Sequence, residues 1–426
     1  MDSKVIQTIL ESLKNEVTEA FNESKWLPFA TAVAVLSSKI GPIPTIPYIH
    51  VPFILLCLVL NLGRHWTIDK ISACFLFYLP LNVIIASPDP VFQSWTREAF
   101  FILVFTLVSP LFVSEYLRDI RRRMLKGIML IITIIGLGSF FCYFLGINYM
   151  TNQANGGEIT NFQGSAGGFG GLTIQSIALG IYSGMAAMYI FHRALEQEEK
   201  RLLYWILLGI LLLTVLFSAS RSALMSTMAG LLIMLYQKQK QNGTFIKTLL
   251  AIVVGAMITF PLWEGAAEGL IKKQESNKKI EGKYGSRSQK WEARMAEFAG
   301  SPVFGVGFSA IDPNGNDEYD KKTGTIEPGS SWLAILSMTG MIGLILFLFI
   351  ALRPVLYLND NPTPYNSLLL GLTTFFLVNM ITEGYIYAGG NATCFVAWLI
   401  FGCAFDQMNS GEDYEDEEDE KTELAL

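Results

Sequence analysis

The chain has 426 residues, of which 51% are hydrophobic and 16% charged, with a mean hydropathy of +0.40. A soluble domain carries about 25% charged residues, and the apolar runs here reach the roughly 20 residues that cross a bilayer, so an ordinary soluble fold is excluded in favour of an integral membrane protein. The net charge of −6 lies mostly in the run Glu412–Glu420 and says little about partners of the core; membrane lipids are expected, a nucleic acid is not.

Residues 1–25 mix both charge signs with apolar Val5, Ile6, Ile9, Leu10, Leu13, Val17 and Phe21. That spacing predicts an amphipathic segment lying on the cytoplasmic membrane surface. Apolar segments follow at 27–40, 44–62, 68–87, 98–114, 124–147, 171–192, 202–218, 221–236, 245–263, 330–352, 366–386 and 391–405. The expected fold is therefore all-α, with about 12 transmembrane helices. A bundle of about nine spans fills 26–263 and a second bundle of three fills 330–405. Between them, 264–329 is a large extracytoplasmic loop containing short helices. Residues 406–426 form an acidic, disordered cytoplasmic tail. Continuous rather than alternating apolar runs exclude a closed barrel.

Short-loop Lys and Arg set the orientation. With the N-terminus inside, the inner loops hold Arg64, Lys70, Arg118, Arg121, Arg122, Arg123, Lys126, Arg193, Lys200, Arg201, Lys238, Lys240, Lys247 and Arg353, whereas the outer short loops hold little beyond Lys39 and Arg97. Both termini are then cytoplasmic and the protein is multi-pass. The Gly-rich outer loop 149–171 matches no phosphate-binding fingerprint. It reads as a flexible loop, or as backbone that closely approaches a glycan or headgroup. The five cysteines all lie in apolar segments without ligand spacing and read as small buried hydrophobes.

Several polar residues stand out against this background. Arg221, in Ser218-Ala-Ser-Arg-Ser222, is confined to the outer membrane edge between two spans. It is either an interfacial arginine snorkelling to lipid phosphates or an anion ligand, since guanidinium stays charged and grips phosphate bidentately. In the large loop, Ser286 and Gln289 predict a helix start, and Gly300 and Pro302 its end. Arg287, Trp291 and Arg294 then share one face, either a solvated charged face or the wall of a diphosphate pocket at a helix N-terminus. Trp291 stacks on a sugar or simply packs. Glu327, at the water edge, is expected to gain proton affinity from near-membrane burial and to serve as a general base. Ser330 and Ser331 cap the next span or hydrogen-bond a substrate. Glu383 and Asn379 are polar residues in apolar sequence, candidates for lining a cavity. Asp312, Asp317 and Asp320 do not follow a calcium-loop pattern, so no metal and no cofactor are expected.

Three pieces in order resemble the O-antigen ligase/polymerase family of bacterial membrane glycosyltransferases. They are Ser220-Arg-Ser-Ala-Leu-Met-Ser-Thr-Met-Ala-Gly230; Arg287-Ser-Gln-Lys-Trp291 followed by Ser301-Pro-Val-Phe-Gly-Val-Gly-Phe308; and Ser330-Ser-Trp-Leu-Ala-Ile-Leu-Ser-Met-Thr-Gly-Met-Ile-Gly343. Many members, the ligases especially, have a histidine at the end of the large loop. Here that stretch reads Glu327-Pro-Gly-Ser-Ser331, and the loop has no histidine, which fits a polymerase-type member better.

The resemblance implies a GT-C-like membrane domain in the bacterial inner membrane with its active site on the outer face. It implies a glycan donor on undecaprenyl diphosphate and transfer to a sugar hydroxyl of another repeat unit (polymerase) or of lipid A-core (ligase). A chain-length regulator and a flippase are the protein partners it suggests. On this reading the catalytic residues are Glu327, Arg221 and Arg287, and the substrate-binding residues are Arg294, Trp291, Ser330, Ser331 and Glu383. The rival class is a flippase or transporter of lipid-linked oligosaccharide, but no internal repeat is visible and the notable charges cluster at one face. A structural subunit of an export complex would leave Arg221 and Arg287 without a role.

Overall fold

The computed structural model describes residues 26–43, 46, 48–61, 64–152, 158–159, 168–197, 199–239, 287–315 and 319–410. The amphipathic N-terminal segment, the apolar run 245–263, the start of the large loop and the acidic run beyond 410 lie outside the described residues.

Outside that gap, every apolar segment corresponds to a helix: α1 (Trp26–Ser37), α2 (His50–Asn61), α3 (Lys70–Ala86), α4 (Ser94–Val108), α5 (Glu115–Leu145), α6 (Ser176–Glu196), α7 (Arg201–Phe217), α8 (Arg221–Gln239), α10 (Ser331–Asp360), α11 (Pro364–Asn379) and α12 (Ala392–Ser410). The short α9 (Ser288–Gly300) lies in the large loop. Among the described residues, three helical stretches are long and apolar enough to cross a membrane: Pro90–Val108, Glu115–Leu145 and Ser331–Asp360. Four shorter ones, Trp26–Ser37, His50–Asn61, Lys70–Ala86 and Arg201–Phe217, are also apolar. Among the described residues, helix length therefore does not confirm twelve full-length spans. Caps and polar residues shorten or dilute the other segments, as where Asp69 stops α3 by accepting from the Ser72 N–H.

The core is aromatic. Trp398 is fully buried, with Phe105 edge-on at 4.8 Å between ring centroids and Phe75, Phe101, Phe347 and Phe401 around it. The edge-to-face arrangement is the one the ring quadrupoles favour. Outward-facing positions are apolar too, including Phe77, Ile84, Phe144, Leu202 and Leu356. Such a surface is a liability in water and is what contact with lipid requires. On the α8–α11 seam the two backbones approach closely: a Cβ on Gly230 would lie 2.9 Å from the Gly371 carbonyl. Small residues at such contacts are the usual membrane packing device, because van der Waals contact replaces the hydrophobic drive that lipid cannot give.

The two ends of the bundle differ chemically. At one end Arg121 is fully buried. It donates to both carboxylate oxygens of Asp406 and to the carbonyls of Leu107, Ser109 and Phe112. Arg353 at the same end pairs with Asp69 and stacks over Phe405, and β1 (Thr67–Ile68) pairs antiparallel with β2 (Phe112–Val113). This corrects the tail boundary. Helix α12 continues to Ser410, and Asp406 is a buried ion-pair partner rather than the start of a solvated tail. Cys74 also departs from expectation by lying exposed on α3, while the other four cysteines are buried.

Candidate active site

The opposite end holds the residues that stood out in the sequence. Helix α8 begins at Arg221 after a sharp reversal in which Ala219 adopts φ 48°. Gly168 packs against the Ser218 carbonyl there, at a spot where a Cβ would come within 2.3 Å of that oxygen. The close backbone approach read into the Gly-rich loop is thus, at Gly168, an approach to protein. The reversal leaves Arg221 exposed at the helix start, and among the described residues nothing bonds its guanidinium. The next residue, Ser222, is buried and donates from Oγ to Glu383 Oε1 at 2.8 Å.

Helix α9 starts one residue later than its sequence pattern suggests. Arg287 occupies the cap position without a side-chain cap bond, and Ser286 lies outside the described residues. From there Arg287 Nη2 reaches Glu383 Oε1 at 2.7 Å. Trp291, one turn on, donates its indole N–H to the Gly329 carbonyl at 3.1 Å and so fixes the corner that leads into α10. The helix ends at Gly300, where the sequence placed its end, and Ser301 takes the C-cap position.

Arg294 is enclosed by protein. It is 0% exposed and pairs with Glu297 at 2.7 Å, while Glu297 also accepts from the Asp312 N–H. Arg294 shares its side of the helix with Trp291, but where Trp291 is half-buried Arg294 is wholly enclosed by protein. Arg294 therefore fastens the large loop to itself.

Ser330 and Ser331 are also builders. Ser330 Oγ accepts from the Leu333 N–H, capping α10, and donates to the Met380 carbonyl. Ser331 Oγ donates to the Glu383 carbonyl and accepts from the Tyr385 and Ile386 N–H groups. Both serines are buried. Their hydroxyls hold the turn 380–386 against the start of α10 and are not available to a ligand.

Glu327 is the clearest departure. Its side chain is 72% exposed and pairs with Lys290, so the burial that was to favour its protonated form is absent. Glu383 has the enclosed position instead, with 13% exposure, two donors on Oε1 and a main chain fixed through Ser331 and Asn379. Burial raises the pKa of nearby Tyr385 well above the ordinary phenol value, and the Glu383 charge adds to it. Sequence reasoning found Glu383 as a polar residue in an apolar segment. It did not find that Ser222, Arg287 and Glu383 meet, because no spacing links positions 65 and 96 residues apart.

The loop after α9 inserts into α10. Gly340 has φ 64° and ψ −165° in the middle of that helix. The freed carbonyls of Ser337 and Met338 accept from the Val306 and Gly307 N–H groups, and Met341 N–H donates to the Pro302 carbonyl. Gly305 (φ 74°) and Gly307 (φ 109°) make the approach possible, since a Cβ on Gly305 would collide with the backbone at 337–338. Broken helices at membrane depth are tolerated where protein satisfies the freed groups. Tyr78 and Tyr387 complete the joint by bonding the carbonyl and hydroxyl of Thr339.

The fold and site define a multi-helix membrane protein with an arginine–carboxylate–serine junction at one end of its bundle. Residues 206–348 match the Wzy_C family model, described as O-antigen ligase. The match covers a third of the chain, from α7 to the middle of α10, and includes Arg221, Arg287, Trp291 and Glu327 but not Glu383. A search of the curated proteins finds no match. The family match supports glycan transfer of the O-antigen ligase/polymerase type, with a lipid-linked glycan as substrate and a membrane setting.

Proposed function

We propose that the chain is a polymerase of surface-polysaccharide repeat units carried on undecaprenyl diphosphate, working at the outer face of the bacterial inner membrane. The observation that carries this is the convergence of Arg287 and Ser222 on Glu383 Oε1, beside the exposed Arg221. Two guanidinium groups at a membrane edge suit a diphosphate, which gathers negative charge as it leaves. The acceptor hydroxyl oxygen forms a bond to the anomeric carbon. The bond from that carbon to the diphosphate oxygen breaks, its electron pair leaves with undecaprenyl diphosphate, and the hydroxyl proton goes to a carboxylate. Glu383, enclosed beside Arg287 and bonded by Ser222, the residue that follows Arg221, takes this general-base role in place of the exposed Glu327. Trp291 orients the rim and Glu327 pairs with Lys290 there.

The polymerase reading is preferred because Glu327-Pro-Gly-Ser-Ser331 has no histidine. A ligase, which transfers to lipid A-core, is the second reading, favoured by the description of the matching family. The test is the surface-glycan profile of a deletion strain, on a gel that resolves single repeat units, with wild-type, Arg221→Ala or Arg287→Ala genes returned at equal protein level. A ladder restored by wild type alone supports the polymerase. Long chains stranded on the carrier in the deletion strain make the protein a ligase. Normal glycan from either arginine variant removes the diphosphate clamp.

A further inference from the structure

Glu383 occupies the guanidinium that a diphosphate needs. Both of its hydrogen bonds, from Arg287 and from Ser222, fall on Oε1. Its main chain is fixed independently: the N–H donates to the Asn379 carbonyl, and the carbonyl accepts from both the N–H and the hydroxyl of Ser331. The carboxylate is thus free to turn about its own side-chain bonds while the backbone stays in place.

One helical turn earlier lies Asn379. It is 0% exposed, and among the described residues neither its Nδ2 nor its Oδ1 has a hydrogen-bond partner. Buried amides are normally paired, and residues a turn apart have side chains in reach of one another. An unused donor one turn before a carboxylate that shares its cation with the incoming ligand is what a second position for that carboxylate requires.

We propose, resting on the diphosphate-clamp reading, that the donor's diphosphate displaces Glu383 from Arg287 and that Asn379 is the positioning residue receiving the displaced carboxylate. Until the donor is bound, the carboxylate is held by Arg287; afterwards it is held by Asn379 and Ser222, turned to the acceptor hydroxyl. The donor therefore binds before the acceptor, and a free acceptor finds no base in place.

The test is binding of undecaprenyl diphosphate to the purified full-length protein in detergent. Removing the competing charge with Glu383→Gln is expected to tighten binding about tenfold or more, the size of one hydrogen bond to a charged group, while turnover is lost. A carboxylate that merely orients Arg287 would give unchanged or weaker binding in Glu383→Gln, and either result overturns the proposal. Arg287→Ala separates the two levels: if it binds undecaprenyl diphosphate as wild type does, the clamp reading itself fails. For Asn379→Leu the expected result is a fall in kcat at saturating donor, with donor KM and undecaprenyl diphosphate binding unchanged, and partial rescue by Asn379→Gln. An unchanged kcat in Asn379→Leu overturns the positioning role.

Discussion

Glu327 and Glu383 are both carboxylates at the same end of the bundle, each paired with a cation. Their surroundings separate them. The Lys290–Glu327 pair is in water, where such pairs contribute about 0–1 kcal/mol, whereas the Arg287–Glu383 pair is largely enclosed and also bonded by Ser222. Replacing Glu327 by Gln is therefore expected to leave turnover within a few-fold of wild type. Replacing Glu383 by Gln is expected to lower it about 10²–10⁴-fold, the usual contribution of a general base. Both are measured as repeat units joined per enzyme with a purified lipid-linked donor. Arg121 shows the opposite use of a cation, far from the site. Removing Asp406 as Asp406→Asn leaves a buried guanidinium without its counter-charge, and such losses cost about 3–5 kcal/mol. Thermal unfolding in detergent should fall accordingly, with no specific change in donor affinity.

Helix α10 is opened by the loop that precedes it. Its break at Gly340 accepts the loop 302–307, and a Cβ at Gly340 would lie 2.2 Å from the Val303 carbonyl. Gly340→Ala is expected to cost about 1–3 kcal/mol in backbone strain alone, because φ 64° with ψ −165° is a conformation essentially confined to glycine, with the clash added. The loop should detach and Arg287, one helix away, should lose its position. Lower thermal stability together with lost activity is the expected result, and activity retained at full stability would contradict this joint. The turn 320–325 is a smaller case. Asp320 accepts from the Lys322 N–H and the Thr323 hydroxyl, which hold its carboxyl below the usual carboxylate range. Because the folded value is the lower one, the turn's contribution is present above the unfolded value and is lost as pH falls through the folded value. Arg97, which donates to the Thr323 and Gly324 carbonyls, should keep that contact through mildly acidic pH.

At the scale of the whole molecule, charge distinguishes the two ends. Arg64, Arg121 and Arg353 gather at the end opposite the Arg287–Glu383 junction, through contacts with Tyr116, Asp406, Asp69 and Phe405. If positive charge marks the cytoplasmic side, the candidate site faces outward. In a chain freed of its native cysteines, a cysteine at Thr323 should react with a membrane-impermeant maleimide in intact spheroplasts. One at Arg64 should react only after permeabilisation, and the reverse pattern would invert the orientation.

What the sequence by itself determined was the periodic and compositional part. Continuous apolar runs specify where helices form, because a helix is closed by its own neighbours in sequence. Arg221 and Glu383 were visible because polar groups are costly in apolar surroundings, and Arg287 and Trp291 because their spacing puts them on one helix face. Burial and partnership were decided only in the tertiary structure. The sequence could not say that Arg294 and Ser331 face inward, that Glu327 remains in water, or that α10 opens at Gly340 to take in residues 302–307. Apart from the local Arg294–Glu297 pair, each depends on contacts between positions tens of residues apart, and no local spacing encodes that Arg287 will meet Glu383.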